Sequence, residues 1–483
     1  MNQSAPFGHA SHRKSPTHSE SVLIWAAVLG FVVLSAGCMV AGLGKILTFA
    51  YPAGAFTVGI LLYFRNPVLY VGFGWWICLL SPFVRRVADY RSGYTENSPI
   101  LLSPFLVAFV SLIGLYQCIP KCHRQGSLPF VLAAIAVIYA SLIGLVNQSP
   151  IGVVKGICGW LAPIVFGHHL FVNWRQYPAY RKMLQQTFVW GVLVVGGYGI
   201  YQYLHLPEWD SFWLTSSGFN SLALGATDPE AESVRVFSTL NSPEPFAAIM
   251  SSGLLLLFSS GSVMQFPAFT AGGLALLLSS VRSGWLALAV GFFALIASAK
   301  LKFQVRLVII GIVLGVCLIP LATMEPFSNI IQGRLESLNN VEDDGSANIR
   351  KATYAELIGR ALVSVVGDGI AGSTYDSTVL AMLLNLGWLG TVFYAGGLLM
   401  LLWIIFRDIG FNADPFLSAV RAILVGILIR FPVNSPMSEE SGISMWTFLG
   451  IGAAALKYYK RHPSEDDRAI YPLIESPEPT QMR

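Results

Sequence analysis

Between Val22 and Tyr459 the sequence is a succession of apolar runs joined by short polar stretches, and many of these runs reach about 20 residues, the length a helix needs to cross a bilayer. Of the 483 residues, 54% are hydrophobic and only 12% are charged, roughly half the charged share of an average soluble protein. The expected fold class is therefore all-α: a polytopic membrane helical bundle of about 12–14 spans with a large non-cytoplasmic loop carrying short helices. Spans are read at about 22–43, 46–64, 68–83, 100–116, 128–146, 151–172 and 188–204. Four more follow between about 246 and 324, and then about 378–406, 416–429 and 443–459. The 378–406 run is long for one straight span, and Gly387-Trp388-Leu389-Gly390 is the place for a break.

The domain reading follows: a disordered cytoplasmic tail over 1–21, a transmembrane domain over 22–461 with outer loops at 205–243 and 325–376, and a second disordered cytoplasmic tail over 462–483. The first 20 residues lack the apolar core and small-residue cleavage site of a signal peptide. A net charge of +4, spread along the chain, gives no support for a nucleic-acid partner. Four of the six cysteines lie in apolar runs, where the residue acts as a small hydrophobe. Cys118 and Cys122 form a single close pair, short of the four ligands of a structural zinc, so no metal is expected.

Orientation is read from Lys and Arg in short loops. With both termini in the cytoplasm, Arg13-Lys14, Arg65, Lys121/Arg124, Arg175/Arg181/Lys182, Lys300/Lys302/Arg306, Arg407 and Lys460-Arg461 all fall inside. Lys45 and the cluster Arg85, Arg86 and Arg91 are the misfits. This orientation puts both long connections and the Val281-Arg282-Ser283-Gly284 junction on the outer side.

The interval from Glu325 to Asp376 is the longest mixed-charge stretch between apolar segments, and connections of that length are usually functional or disordered. Its middle, Asn348 to Val366, carries apolar residues at helical spacing. Three positions stand out on the outer side. Arg235 precedes an Asn241-Ser242-Pro243 turn and a helix start, where free N–H groups and a guanidinium together suit an anion; an arginine meeting lipid headgroups is the plainer alternative. Arg282 is tightly flanked by apolar spans, which is costly unless it is paired or lines a wet cavity, and its planar fork matches phosphate oxygens. Asp376 opens the next apolar segment either as a general base or as a simple helix cap. Arg334, Arg350 and Arg360 are further cationic candidates in the same loop. Arg421 and Arg430 lie within or at the end of the 416–429 span, with Glu439-Glu440 as an expected partner for Arg430.

The order of these pieces resembles a known family. FSTLNSPEPFAA leads into SSVRSGWLALAVG, and the basic helix IRKATYAELIGR is followed by Gly367-Asp368-Gly369 and LLNLGWLG. This resembles the O-antigen ligase and O-antigen polymerase family of bacterial envelope proteins, chiefly over Arg235 to Phe406. The resemblance implies a glycosyltransferase of the bacterial cytoplasmic membrane that moves glycan from a polyprenyl diphosphate carrier to an acceptor on the outer side, with no cofactor. Its implied partners are the polyprenyl-diphosphate-linked glycan, membrane lipid, a flippase and chain-length-regulating proteins. It also implies that Arg235 and Arg282 bind the diphosphate, with Arg334, Arg350, Arg360, Arg421 and Arg430 as candidate glycan or acceptor contacts. Where ligases commonly carry His-Asn before the closing apolar run, this chain has Asp376-Ser377, which points to a polymerase-like member over a ligase. An aspartate, with an ordinary pKa of about 3.9, is the weaker base unless burial raises it. Two other readings compete: a small-anion transporter, which arginines among spans would also serve, and a non-catalytic component of a polysaccharide assembly system.

Overall fold

The computed structural model describes residues 18–218, 234–298, 304–313, 345–371, 375–407 and 414–462, with Val316, Met324 and Ser328 besides. Their secondary structure is helical, with no strand among the described residues. In chain order the helices are α1 (His18–Val40), α2 (Gly44–Arg65), α3 (Pro67–Ser92), α4 (Ser103–Phe109), α5 (Leu112–Cys118), α6 (Cys122–Gln125), α7 (Leu128–Asn147), α8 (Pro150–Val172) and α9 (Tyr177–His205). They continue with α10 (Glu208–Ser217), α11 (Pro243–Leu257), α12 (Gln265–Leu278), α13 (Arg282–Ser298), α14 (Gln304–Val313), α15 (Gly345–Val363), α16 (Thr378–Arg407), α17 (Pro415–Leu428) and α18 (Glu439–Arg461).

Eight of the described helical stretches are long and apolar enough to cross a membrane, and α11, α12, α13, α14 and α17 are shorter apolar helices. That is the make-up of a multi-pass membrane bundle, because in hydrocarbon each backbone N–H and C=O must be bonded within the protein. Large apolar side chains such as Leu34, Phe49, Phe293, Val392 and Trp403 are exposed on its outside. On a water-soluble protein such a surface would be a liability, whereas it suits a face turned to lipid. Inside, helices meet closely where side chains are small. A Cβ on Gly167 of α8 would lie 2.2 Å from the Trp446 carbonyl oxygen, and one on Gly450 of α18 would lie 2.1 Å from that of Gly167.

Several boundaries differ from the expected ones. The third span, read as about 68–83, is a helix running on to Ser92, so Arg85, Arg86 and Arg91 are helical residues and not loop charges. The span read as 188–204 starts a turn after Trp174, at Tyr177, and takes in Arg181 and Lys182. The outer loop 205–243 contains α10, and the interval 325–376 contains α15, close to the helical stretch read from spacing. The tails 1–17 and 463–483 lie outside the described residues.

The break in α16 falls where expected. Gly387 adopts φ 65°, ψ 177°, which frees the amides of Trp388 and Leu389 from their own helix. The segment after α15 supplies the replacement: those amides donate to the carbonyls of Ser364 (3.0 Å) and Val365 (3.2 Å). In return the Asp368 amide donates to the Leu384 carbonyl at 2.7 Å, and the Ile370 amide to Ala140 of α7 at 3.1 Å. A side chain at Gly387 would meet the Val366 carbonyl carbon at 2.3 Å. The segment 364–370 is thus wedged between α7 and α16, and it completes the hydrogen bonding of a broken helix.

Candidate functional site

The site is built around the segment 234–240, and that segment is fixed by an ion pair the sequence does not announce. Arg86, near the end of α3, is fully buried, and its Nε donates to Asp210 Oδ1 of α10 at 2.7 Å. Its two remaining nitrogens donate to the backbone carbonyls of Ser238 and Leu240. Asp210 Oδ2 also accepts from Tyr198 (2.8 Å) and Gln202 (2.6 Å), both on α9. Gln202 Oε1 in turn accepts from the amides of Phe237 (3.1 Å) and Ser238 (2.7 Å). Every charge in this buried network is partnered, as a water-excluded site requires. Ser238 is held at φ 54°, a conformation a non-glycine residue keeps only where its surroundings over-determine it.

That anchoring turns the segment across the end of α12. The Val236 amide donates to the Leu278 carbonyl at 3.2 Å. Arg235 Nε donates to the Ser279 carbonyl at 3.1 Å and its Nη2 to that of Ser280 at 3.4 Å. The guanidinium therefore lies over the carbonyls just past the end of α12, which belong to residues within three positions of Arg282, and part of its work is to close off that helix end. Ser280, at φ 56°, is the second strained serine of the site. Arg282 opens α13 and is half-buried. Gly284, two residues on, lies against Ala247 of α11, where a Cβ would be 2.8 Å from the alanine methyl. The starts of α11 and α13 are thus side by side. Two helix N-termini and two arginines share one end of the bundle, and both effects favour negative charge there.

The third element is the connection after α17. Arg430, almost wholly buried, pairs with Glu244 in the first turn of α11. The expected partner was Glu439-Glu440; α18 instead places Glu439 beside Gly159 of α8, and Glu244 lies within reach because α11 starts next to the end of α17. From the same connection the carbonyls of Phe431 and Asn434 accept from the Thr378 amide at 3.0 and 3.1 Å. The start of α16 is thereby joined to the Arg430–Glu244 pair. Several buried polar atoms of this connection and of the neighbouring segments have no partner among the described residues: Thr239 Oγ1, Asn241 Oδ1, Ser377 Oγ, Arg430 Nε and Asn434 Oδ1. Such atoms call for an explanation, and a polar ligand at this rim is one.

Asp376, two residues before α16, is exposed and takes no hydrogen bond from a described residue. It therefore does not cap α16, whose first amide is held by the Phe431 and Asn434 carbonyls. Arg360, exposed, donates from Nη2 to both carboxylate oxygens of Asp368, each at 2.8 Å. Burial pushes the neighbouring Tyr375 hydroxyl above its ordinary range, and the Asp368 carboxylate adds to the rise. Arg421 is not brought to the site: its Nε donates to the Ile405 carbonyl at 2.9 Å, close to the far end of α16. Arg334 and the side chain of Arg350 lie outside the described residues. Sequence reasoning missed Arg86, Asp210 and Glu244, although Arg86 had already shown itself as a misfit to the charge rule.

No family model matches this chain, and no curated protein does.

Proposed function

We propose that the protein is a membrane glycosyltransferase of the O-antigen polymerase or ligase type, acting on a polyprenyl-diphosphate-linked glycan at the outer side of the bacterial cytoplasmic membrane. The observation that supports this reading is the placement of the Arg235 guanidinium on the Ser279 and Ser280 carbonyls, just before Arg282, at the end of the bundle where α11 and α13 start side by side. Glycan transfer from such a carrier requires the charge on the departing diphosphate to be stabilised, and fixed guanidinium groups next to helix N-termini supply that without reorganising. It also requires an acceptor hydroxyl at the anomeric carbon. Asp376, reached through the connection that bears Arg430, is the residue we assign to receive the hydroxyl proton or to bind the acceptor. The two strained serines, Ser238 three residues after Arg235 and Ser280 accepting from its guanidinium, support a site at this place over a simple interfacial arginine. Exopolysaccharide or O-antigen would be the product.

The test is deletion in the host, complemented with wild type or with Arg235→Ala and Arg282→Ala. A polymerase gives loss of surface polymer with single repeat units accumulating on the carrier; a ligase leaves long polymer unattached. Each arginine variant is expected to lower product by tenfold or more, about the worth of a charge-assisted contact to phosphate. Unchanged glycan with altered anion uptake would replace this reading with the transporter. Unchanged glycan in both arginine variants, with loss only on deletion, would make the protein a non-catalytic component.

A further inference from the structure

At the end of the bundle opposite Arg235, three cations from two stretches of the chain gather on one indole. Arg175, in the turn between α8 and α9, has its guanidinium 5.2 Å from the Trp174 ring, and Lys457 and Arg461 of α18 lie 5.8 and 6.0 Å from the same ring. We propose that Arg175, Lys457 and Arg461, set around Trp174, bind the phosphate-bearing headgroup of an anionic phospholipid. The site is separate from the transfer reaction proposed above and does not depend on it.

Charge is the first argument. Like charges this close repel, and none of the three pairs with a carboxylate among the described residues. Asp414, at the same end, is taken: it pairs with Arg181 at 2.9 Å and accepts from Tyr459 at 2.9 Å and from Tyr177. The helix dipoles do not account for the cluster either. Lys457 and Arg461 suit the C-terminal end of α18, but Arg175 precedes the first turn of α9, where a cation is disfavoured. A phosphate between the three removes the repulsion. Preorganisation is the second argument. The Lys457 ammonium lies 4.6 Å from the Phe171 ring and donates to the Gln125 carbonyl at 2.8 Å, which fixes it and uses one of its three hydrogens. Arg175 and Arg461 are exposed, and no described group accepts a hydrogen bond from either guanidinium. Setting is the third. Trp174 lies in the turn between two helices long and apolar enough to span, the level at which indole rings meet headgroups. The stretch leading to Gln125 exposes Tyr116 and Ile119, an apolar flank on which acyl chains can lie while the headgroup meets the cations. A free phosphate would have no use for that flank. In the proposed orientation this is the cytoplasmic leaflet, whose anionic lipids attract basic residues near the surface.

The probe is dioleoyl phosphatidylglycerol, titrated into the full-length protein in detergent and read as the unfolding midpoint, with dioleoyl phosphatidylcholine and inorganic phosphate as comparisons. Phosphatidylglycerol is expected to raise the midpoint and the other two to leave it, because a ligand that binds only the folded state stabilises it. An equal response to inorganic phosphate would make this a free-anion site and overturn the lipid assignment. Arg175→Gln with Arg461→Gln removes two charges and keeps the Lys457 hydrogen bond. It should raise the phosphatidylglycerol needed for half the shift about tenfold, whereas Arg65→Gln with Lys182→Gln, two exposed cations elsewhere at that end, should change it less than about twofold. Equal losses in the two variants would mean diffuse surface attraction and overturn the site. In phosphatidylcholine alone the first variant should be at least as stable as wild type, since it relieves repulsion. A midpoint lowered equally in both lipids would make the cluster a structural clamp instead. The sequence continues past His462 with Glu465, Asp466 and Asp467. A phosphatidylglycerol response that needs Glu465→Gln, Asp466→Asn and Asp467→Asn before it appears would make the tail the resident anion and overturn the proposal.

Discussion

Arg86 shows how one buried side chain can set the direction of another that it does not touch. Its guanidinium neutralises Asp210 and pins two carbonyls of the 234–240 segment, so the direction of Arg235 depends on a residue on α3. Removing one partner leaves a buried charge uncompensated. Arg86→Ala is therefore expected to cost about 3–5 kcal/mol, read as a drop in the unfolding midpoint of detergent-purified protein. Arg86→Met together with Asp210→Leu should recover much of that stability, because a buried ion pair often breaks even with an apolar one. It should not restore product formation, since the Ser238 and Leu240 carbonyls would lose their donor. Arg282 drew attention by residue type alone, since an arginine between apolar runs has few reasons to be there, and Arg235 did so by the turn and helix start that follow it. The Arg86–Asp210 pair was not legible, because 124 positions separate its members and no local pattern links them. Glu244 was hidden for the same reason, whereas Glu439-Glu440 drew attention only by being near Arg430 in sequence.

At the scale of elements, α16 and the segment 364–371 form one structure made of two distant pieces. The Gly-Trp-Leu-Gly motif was enough to locate the break, since only glycine tolerates the backbone it needs. What fills the break could not be read, because carbonyls look alike in any sequence. Gly387→Ala combines a conformation that other residues avoid, costing of order 1–3 kcal/mol, with a clash against Val366. Its expected effect is local: amide exchange should speed up over 364–371 and at Trp388 and Leu389, with α8 and α18 unchanged. Uniform exchange throughout the chain would mean that the segment is not seated as described. The length of α3 was misjudged for a plainer reason. Arg85 and Arg86 lower the apolar average just where the helix continues, and only their buried partners make that continuation affordable.

For the whole molecule, the all-helical membrane bundle was readable from composition and run length, because bilayer thickness fixes how long an apolar helix must be. Which ends come together was readable only as far as alternation of sides allows, and the hydrogen bonds then fix it. Arg235, Arg282, Glu244, Arg430 and Asp376 share one end, and Lys460-Arg461 close α18 at the other. With the native cysteines replaced, Asp376→Cys is expected to react with a membrane-impermeant maleimide from outside intact cells, and Lys460→Cys only after lysis. The reverse pattern would invert the proposed orientation. The interruption at Gly387 carries a last consequence for mapping the bilayer boundary. A hydropathy window sees 30 uninterrupted residues and would draw the water line at Thr378. The uninterrupted helix starts about 13 Å further along, at Gly387, where the incoming segment 364–365 supplies the carbonyls, and that is where we expect the line to fall. A thiol placed at Val379 should then titrate like one in solution, while another at Val392, a few turns along the same helix, should be silent to every aqueous reagent and visible only to lipid-soluble ones.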